Sequence, residues 1–211
     1  MKKTIFLLGL LIPFSFSTFA QMDDDADKES KVGIRGSFNL TNWYEDELDD
    51  KNLKAGFGVG IFYRGFVSDN FSIQPEIGFT QKGSTFEYDV LWADGEVRGI
   101  LNYVELPVLF NIHPTDFLHI GAGPYVATLI SAKAKAVDDD GDSFEGEESF
   151  DRDNFQTFDW GFAIDAGLDF DNVSVGARYG LGLQNVEWDT DLAEGDLGKN
   201  SALQIYIGFM F

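Results

Sequence analysis

The sequence predicts an all-β fold, an eight-stranded antiparallel up-and-down transmembrane β-barrel. Three observations predict it: eight segments alternate in polarity, their connections alternate between short and long, and the last segment ends on Phe211. In that last segment Leu203 and Ile205 fall on one face, whereas Gln204 falls on the other. A strand with an apolar outer face and a mixed inner face is typical of a barrel embedded in lipid.

The chain begins with a predicted secretory signal peptide at residues 1–20. A short basic start precedes an apolar stretch, and Thr18 and Ala20 supply the small residues of a cleavage site. The apolar stretch is too short to span a membrane comfortably, which argues against a membrane-anchoring helix. Residues 21–30 are rich in Asp and predict an acidic periplasmic N-terminal arm, so that the barrel occupies residues 31–211.

Eight alternating segments make up the predicted barrel. They cover residues 31–41, 54–66, 71–84, 100–112, 117–130, 158–170, 173–184 and 200–211. At about 3.3 Å per residue and a tilt near 40°, such segments cross an apolar band of about 25 Å. Tight turns join them on one side, and long polar loops join them near 42–53, 85–99, 131–157 and 185–199. This alternation predicts the cell outer membrane as location, with the tight turns in the periplasm.

A soluble lipocalin-like barrel is the main alternative, in which the apolar face points inward. It would need charged outer faces, yet the second faces here carry mostly glycine and few charges. The aromatic residues also sort to opposite rims. Near the long-loop ends lie Trp43, Trp92, Trp160 and Trp188. Near the short-turn ends lie Phe66, Phe71, Phe117, Phe170 and Phe211. Two aromatic girdles favour the membrane barrel.

The third and fourth segments are predicted to continue beyond the membrane. The run from Thr85 to Val90 keeps alternating, and Asp94-Gly95 is a hairpin signal. A protruding sheet with exposed edges can take up another chain by strand addition. The alternative that the sequence leaves open is a loop without regular structure that happens to alternate.

The chain resembles the PorT-like outer-membrane β-barrels of Bacteroidetes across residues 31–211. The resemblance rests on Gln74-Pro75-Glu76, Gln81-Lys82-Gly83, Leu101-Asn-Tyr-Val-Glu-Leu-Pro107, Gly123-Pro-Tyr125, Ser131-Ala-Lys133, Ala177-Arg-Tyr179 and the closing aromatic residue. It implies an eight-stranded barrel in the outer membrane. The family's named member is an accessory component of a system that secretes surface proteins, so the resemblance implies secretion support as the function.

Charge and composition narrow the expected partners. The net charge of −21 argues against nucleic acid, because such a chain repels polyanions. The chain has no cysteine and therefore no disulfide framework. We expect outer-membrane lipid and lipopolysaccharide as surroundings, with secretion-system or surface proteins as partners.

No enzymatic site and no cofactor are predicted. Hydrolytic or acyl-transfer chemistry at the outer rim normally needs a histidine base, but His113 and His119 both fall near a short turn. The predicted function is that of a non-enzymatic accessory or interaction protein with acidic extracellular loops. The alternatives are a small transport pore and a surface or adhesion protein that binds divalent cations.

Charged residues on the inward phase of the strands predict a charge network in the lumen. Its members are Arg35, Arg64, Glu76, Lys82, Glu105, Asp165 and Arg178. Eight strands leave an interior that side chains fill, and pairing there avoids the cost of isolated charge burial. We predict Glu76 and Glu105 at its centre, with Arg64 or Arg178 as their partners, in a structural role. A proton path or small polar conduit is the functional alternative.

The third long loop contains a candidate cation site at Asp138, Asp140 and Asp142. Alternate carboxylates in a tight loop can turn toward one Ca²⁺ or Mg²⁺ ion. Ser143 stands where an EF-hand needs glycine, and Ser149 where it needs glutamate, so an EF-hand is excluded. A loosely bound ion and a purely solvated acidic loop both remain open.

Overall fold

A computed structural model of the chain describes residues 28–44, 53–90, 93–138, 143–150, 157–190 and 193–211. These residues form β1 (Lys31–Tyr44), β2 (Lys54–Ser68), β3 (Phe71–Val90), β4 (Ala93–Thr115), β5 (Leu118–Asp138), β6 (Ser143–Phe150), β7 (Phe158–Phe170), β8 (Val173–Thr190) and β9 (Ala193–Met210). No helix among the described residues has the length and apolar character needed to cross a membrane.

The strands pair antiparallel with their neighbours and close into a barrel. The last strand returns to the first, with Ile34 opposite Phe209 and Leu40 opposite Leu203. Pairing of β4 with β5 completes the ring on the other side. The predicted eight-stranded barrel is confirmed, because β6 and β7 together occupy a single position in the wall.

The sixth wall position is divided between two strands that pair with the same edge of β5. The C-terminal part of that edge pairs with β6, from Val137 opposite Ser143 to Ala132 opposite Phe150. The N-terminal part pairs with β7, beginning at Thr128 opposite Phe158. The prediction of a loop at residues 131–157 was wrong for this part. Polar strands form when ladder hydrogen bonds satisfy their backbone groups, whatever their hydrophobicity.

Alternation separates an apolar exterior from a polar interior, as predicted. On β9, Ile205 and Ile207 are 53% and 45% exposed, whereas Gln204 and Tyr206 are 4% and 6% exposed. The same pattern holds on β7, where residues from Phe158 to Leu168 alternate between exposed and buried. Apolar side chains in contact with lipid therefore surround a lumen filled by polar and aromatic side chains.

The tryptophan girdle is only partly confirmed. Trp160 lies on the outer face and is 41% exposed. Trp43 instead packs inside the barrel against the buried cluster around Leu101, and its indole nitrogen donates to Asn200 Oδ1 over 3.1 Å. The prediction was wrong for Trp43 because it considered the position of the residue along the barrel axis and not the inward direction of its side chain. The side chains of Trp92 and Trp188 lie outside the described part of the chain.

Four strand pairs continue beyond the apolar band on the long-loop side: β3–β4, β4–β5, β5–β6 and β8–β9. The β3–β4 ladder runs to Val90 opposite Ala93, which confirms the protruding hairpin over the irregular loop. Asp94 and Gly95 pair with Asp89 and Tyr88 inside that ladder, so they do not form the predicted turn. The ladder of β8 and β9 likewise extends to Thr190 opposite Ala193, where a loop was predicted at 185–199.

The opposite rim closes with short turns, and one of them has a left-handed residue. Asp171 has φ 47° between β7 and β8, and Phe170 pairs with Val173 across the turn. A short side chain such as Asp tolerates this region better than a branched one, because it can hydrogen-bond locally. This side is called the short-turn rim below, and the other side the long-loop rim.

Candidate functional site: the lumen charge network

A closed ring of hydrogen bonds and ion pairs crosses the lumen in its short-turn half. Its seven members, called the lower ring, are Arg64, Gln74, Glu76, His119, Asp165, Asp169 and Arg178. They come from five strands, β2, β3, β5, β7 and β8. Because these strands lie on opposite sides of the barrel, the ring ties the wall together through its interior.

The strongest contact in the lower ring is the fork between Arg178 and Glu76. The two terminal guanidinium nitrogens donate to the two carboxylate oxygens over 2.8 and 2.7 Å. Arg178 Nε donates to Asp165 Oδ2 over 2.8 Å, and Arg35 adds a second cation to Glu76 at 3.0 Å. A bidentate pair in a buried site is short and geometrically specific, so it holds β3 and β8 at a defined separation.

A glutamine relays the ring from Glu76 to the next arginine. Gln74 Nε2 donates to Glu76 Oε1 over 2.7 Å, while Gln74 Oε1 accepts from Arg64 Nε over 2.6 Å. Arg64 Nη1 then reaches Asp169 Oδ2 at 2.8 Å. An amide suits this position because it donates on one side and accepts on the other.

His119 closes the ring between two carboxylates. Its Nδ1 lies 2.9 Å from Asp169 Oδ2, and its Nε2 lies 3.0 Å from Asp165 Oδ1. An imidazolium satisfies both contacts, because only the protonated ring donates from both nitrogens. Tyr206 covers this corner and donates to Asp165 Oδ1 over 2.9 Å.

A second group of charges, called the upper cluster, lies toward the long-loop rim. Lys82 Nζ contacts Glu105 Oε2 at 2.8 Å and Asp159 Oδ2 at 3.1 Å. The ammonium group also lies 4.3 Å from the centre of the Tyr125 ring, a cation–π contact. Asn200 Nδ2 donates to Asp159 Oδ2 over 3.1 Å. The Tyr103 ring lies 5.4 Å from the same ammonium group, so two anions and two aromatic rings surround a single buried cation.

A buried apolar cluster lies beside the upper cluster. Its members are Leu101, Tyr103, Tyr125, Ala127, Leu129, Ala132 and Val186, with Trp43 packed against them. Tyr103 and Leu129 are each 1% exposed. Side chains packed to this degree leave no room for water, so the lumen is filled on its long-loop side.

The structure places all seven predicted charges inside the barrel but divides them between two groups. Glu76 meets Arg178 and Arg35 as a centre, as expected. Glu105 instead pairs with Lys82, and Arg64 pairs with Asp169. Neither pairing could be read from alternation, because alternation gives the direction of a side chain and not its height in the lumen.

Sequence reasoning did not include three members of the lower ring. Gln74 is uncharged, His119 was considered only as a catalytic base, and Asp169 was not considered. Asp169 shares the inward phase of Asp159 and Asp165 on β7. His119 shares the inward phase of Tyr125 on β5, and both are buried. Full use of the alternation would therefore have found both residues.

The cavities within the network are small, whereas its mouth is open. A cavity of about 20 Å³ lies between the two charge groups. At the short-turn rim a wider cavity of about 390 Å³ is lined by Lys28, Lys31, Arg64, His113 and Asp169, among others. Lys28, at the start of the described arm, pairs with Asp116 at 3.0 Å beside this mouth.

The predicted cation site falls largely outside the described residues. Asp138 ends β5, but its side chain is not described, and Asp140 and Asp142 lie beyond the described ranges. Within the ranges that the structure does describe, no three His, Asp or Glu residues are arranged to hold a metal ion. The Ca²⁺ or Mg²⁺ site thus stays a prediction.

Residues 19–187 match the family described as outer membrane protein beta-barrel domain. The chain belongs to this family. As an outer membrane β-barrel, it places its apolar exterior in lipid and its charge network in the interior of the barrel. No curated protein matches the chain.

Solved structures of outer membrane barrels are similar to the chain at low sequence identity. OprG of Pseudomonas aeruginosa is 13% identical with a TM-score of 0.50, over 88% of this chain and 98% of OprG. The attachment invasion locus protein Ail of Yersinia pestis is 19% identical with a TM-score of 0.42, over 86% of this chain and 97% of Ail. A major outer membrane protein of Thermus thermophilus is 10% identical with a TM-score of 0.49, over 87% of this chain and all of that one.

Proposed function

We propose that this barrel is a non-enzymatic interaction protein, which anchors a protruding sheet at the cell surface for a protein partner. One observation carries the proposal: β3, β4, β5 and β6 continue as a four-stranded sheet beyond the part of the wall that β1 and β2 complete. A rim that serves only to close a barrel needs no such extension. A sheet that protrudes in this way can present an exposed edge to an extended segment of another chain.

The protruding sheet ends in strand edges. Among the described residues β6 pairs with β5 alone, and the pairing of β3 with β2 stops at Thr80 opposite Gly58. Ladder groups on such edges are available for hydrogen bonds with an added strand. An extended segment of a partner can therefore dock by strand addition, with its backbone supplying much of the affinity.

The filled lumen argues against the alternative of a transport pore. The lower ring spans the interior, and Arg178, at its centre, is 2% exposed. Moving this ring aside would separate buried charges from their partners, at a cost of several kcal/mol. We expect no ion conductance steps from the purified protein in a planar bilayer, and steady open-channel currents would contradict the proposal.

Secretion support, as in the PorT-like barrels, is the specific form that we favour for this interaction. The sequence resemblance supports it, and a surface-exposed sheet suits a component that contacts exported proteins or the export machinery. The histidines support a non-enzymatic role, because His113 and His119 are buried in the short-turn half and 3% and 0% exposed. Lipopolysaccharide is the expected neighbour of the outer face at the long-loop rim.

The test compares the full chain with a variant lacking Ser143–Phe150, the whole of β6. Each is purified from its native membrane, and secretion-system components and exported surface proteins are measured in the eluates. We expect the full chain to recover such a partner and the variant to lose it. Surface-protein export should fall in cells that carry only the variant.

A folding control accompanies this experiment. Both proteins should show the same heat-dependent gel shift, because β6 pairs with the extension of β5 and not with the closed barrel. Equal partner recovery by the two folded proteins would contradict docking on β6. Unchanged export in cells that lack the whole barrel would contradict secretion support.

A further inference from the structure

A small cavity separates the two charge groups of the lumen. It measures about 20 Å³ and is lined by Arg35, Glu76, Glu105 and Gln204, among others. Glu76 belongs to the lower ring, and Glu105 belongs to the upper cluster. Any molecule bound in this cavity therefore contacts both groups at once.

Two buried polar atoms on the lining residues have no hydrogen-bond partner among the described residues. They are Arg35 Nη1 and Gln204 Oε1. Gln204 is 4% exposed, and the other terminal nitrogen of Arg35 is already held by Glu76 at 3.0 Å. A buried polar atom without a partner is costly, so a native structure normally supplies one, often an internal water.

The chemistry of the lining selects the ligand. One atom is a donor and the other an acceptor, so the ligand must accept from Arg35 and donate to Gln204. The cavity volume fits about one water molecule, which needs roughly 10–15 Å³ of such space. An anion would meet the Gln204 oxygen and two carboxylates, and a cation would meet Arg35. Among these three ligands, only water can both accept from Arg35 and donate to Gln204 and a carboxylate.

We propose that the cavity binds one structural water molecule, which bridges the lower ring to the upper cluster. The water accepts from Arg35 Nη1, donates to Gln204 Oε1 and directs its second hydrogen to the Glu105 carboxylate. Three partners are typical for a buried water. The bridge turns two separate charge groups into one polar column, with room for one water and no continuous file.

A high-resolution crystal structure of the full chain tests the site directly. We expect one peak of water density within about 2.7–3.2 Å of Arg35 Nη1 and of Gln204 Oε1. Magnetisation transfer from water to the side-chain amide of Gln204, by NMR in nanodiscs, should show the same contact in lipid. Direct contact between the two side chains, or no density with both atoms unpaired, would overturn the proposal.

Two matched variants and a halide soak complete the test. Gln204→Leu removes the acceptor and should displace the water, whereas the neighbouring outward substitution Ile205→Leu should leave the density unchanged. If Gln204→Leu does not fold, the density and the NMR transfer in the full chain still decide the matter. An anomalous peak in the cavity after a bromide soak would identify an anion site and overturn the assignment to water.

Discussion

The short-turn half of the barrel and the extension beyond its long-loop rim are both built from antiparallel strand ladders, but the two ladders have opposite consequences. In the short-turn half every wall position has a neighbour on both sides, and the lower ring crosses the interior. In the extension, β6 has a partner on one side only among the described residues. The difference is one of closure: a closed ladder seals the protein, and an open ladder can accept another strand.

The two regions also differ in what an altered side chain would disturb. In the lower ring each member contacts at least two others, so one substitution affects several strands together. In the extension, the described contacts between adjacent strands are the backbone pairings of the ladder. We therefore expect large effects on barrel stability from the lumen and small ones from the extension, in the order that follows.

The largest effect is expected from Glu76→Ala. The change leaves Arg178 and Arg35 buried without their shared anion, which should lower the free energy of unfolding by about 3–5 kcal/mol. Urea unfolding in lipid vesicles, followed by tryptophan fluorescence, measures the change. The control is Asp116→Asn, whose carboxylate is 96% exposed beside Lys28 and should matter little. Equal effects of the two substitutions would mean that the lower ring does not stabilise the barrel.

A somewhat smaller effect is expected from Ile207→Arg on the lipid face. Ile207 is 45% exposed in the apolar band, so an arginine there should lower the free energy of unfolding by about 2–4 kcal/mol. The control Ile207→Val keeps the surface apolar, and the same urea titration measures both. A loss no larger than that of the control would place this face outside the membrane interior.

The third effect distinguishes inward from outward glycines on the wall. A methyl group on Gly167 would lie 2.5 Å from His119 Cε1 and 2.6 Å from the Tyr206 hydroxyl, whereas one on Gly36 would meet nothing within 4 Å. Gly167→Ala should therefore destabilise the barrel by about 1–3 kcal/mol. Gly36→Ala should be neutral or slightly stabilising. The two unfolding curves in urea give the difference, and its reversal would contradict the packing of Tyr206 over Gly167.

The smallest effect on the barrel is expected from Glu147→Pro in the extension. Proline removes a backbone N–H from β6 and fixes φ at Glu147, which is paired with Lys135 of β5. The barrel's free energy of unfolding should change by about 0.5 kcal/mol or less, because the extension can open by itself. Hydrogen exchange should show fast amides in β6 and unchanged protection around Arg178. Loss of protection in both places would mean that extension and barrel unfold as one unit.

Alternation made the barrel predictable, because successive side chains of a strand point to opposite faces and the apolar set therefore identifies the face toward lipid. All eight segments are strands in the structure, and the closing pair of β1 and β9 follows from their count. The secondary structure of the predicted loops was less predictable. Residues 143–150 pair as β6 although they read as an acidic loop, since pairing depends on backbone groups that every residue carries.

The pairings in the lumen charge network were likewise only partly predictable from the sequence. Inward phase identified Arg35, Glu76 and Arg178, and these three do meet. It could not show that Glu105 belongs with Lys82, because the stagger between strands sets which residues share a level in the lumen. His119 was considered only as a catalytic base, whereas in the structure it links the carboxylates of Asp165 and Asp169.

The order of residues alone was enough for the eight wall positions of the barrel, for the face of each wall strand that meets lipid and for the location in the outer membrane. These depend on local periodicity and on the contrast between lipid and lumen, both of which are present in every short stretch of the chain. The folded barrel was needed for the pairings in the lumen, for the inward position of Trp43 and for the pairing of β6 with β5 alone among the described residues. They depend on which strands lie opposite each other and at what height, and strand register and barrel closure settle that only in three dimensions.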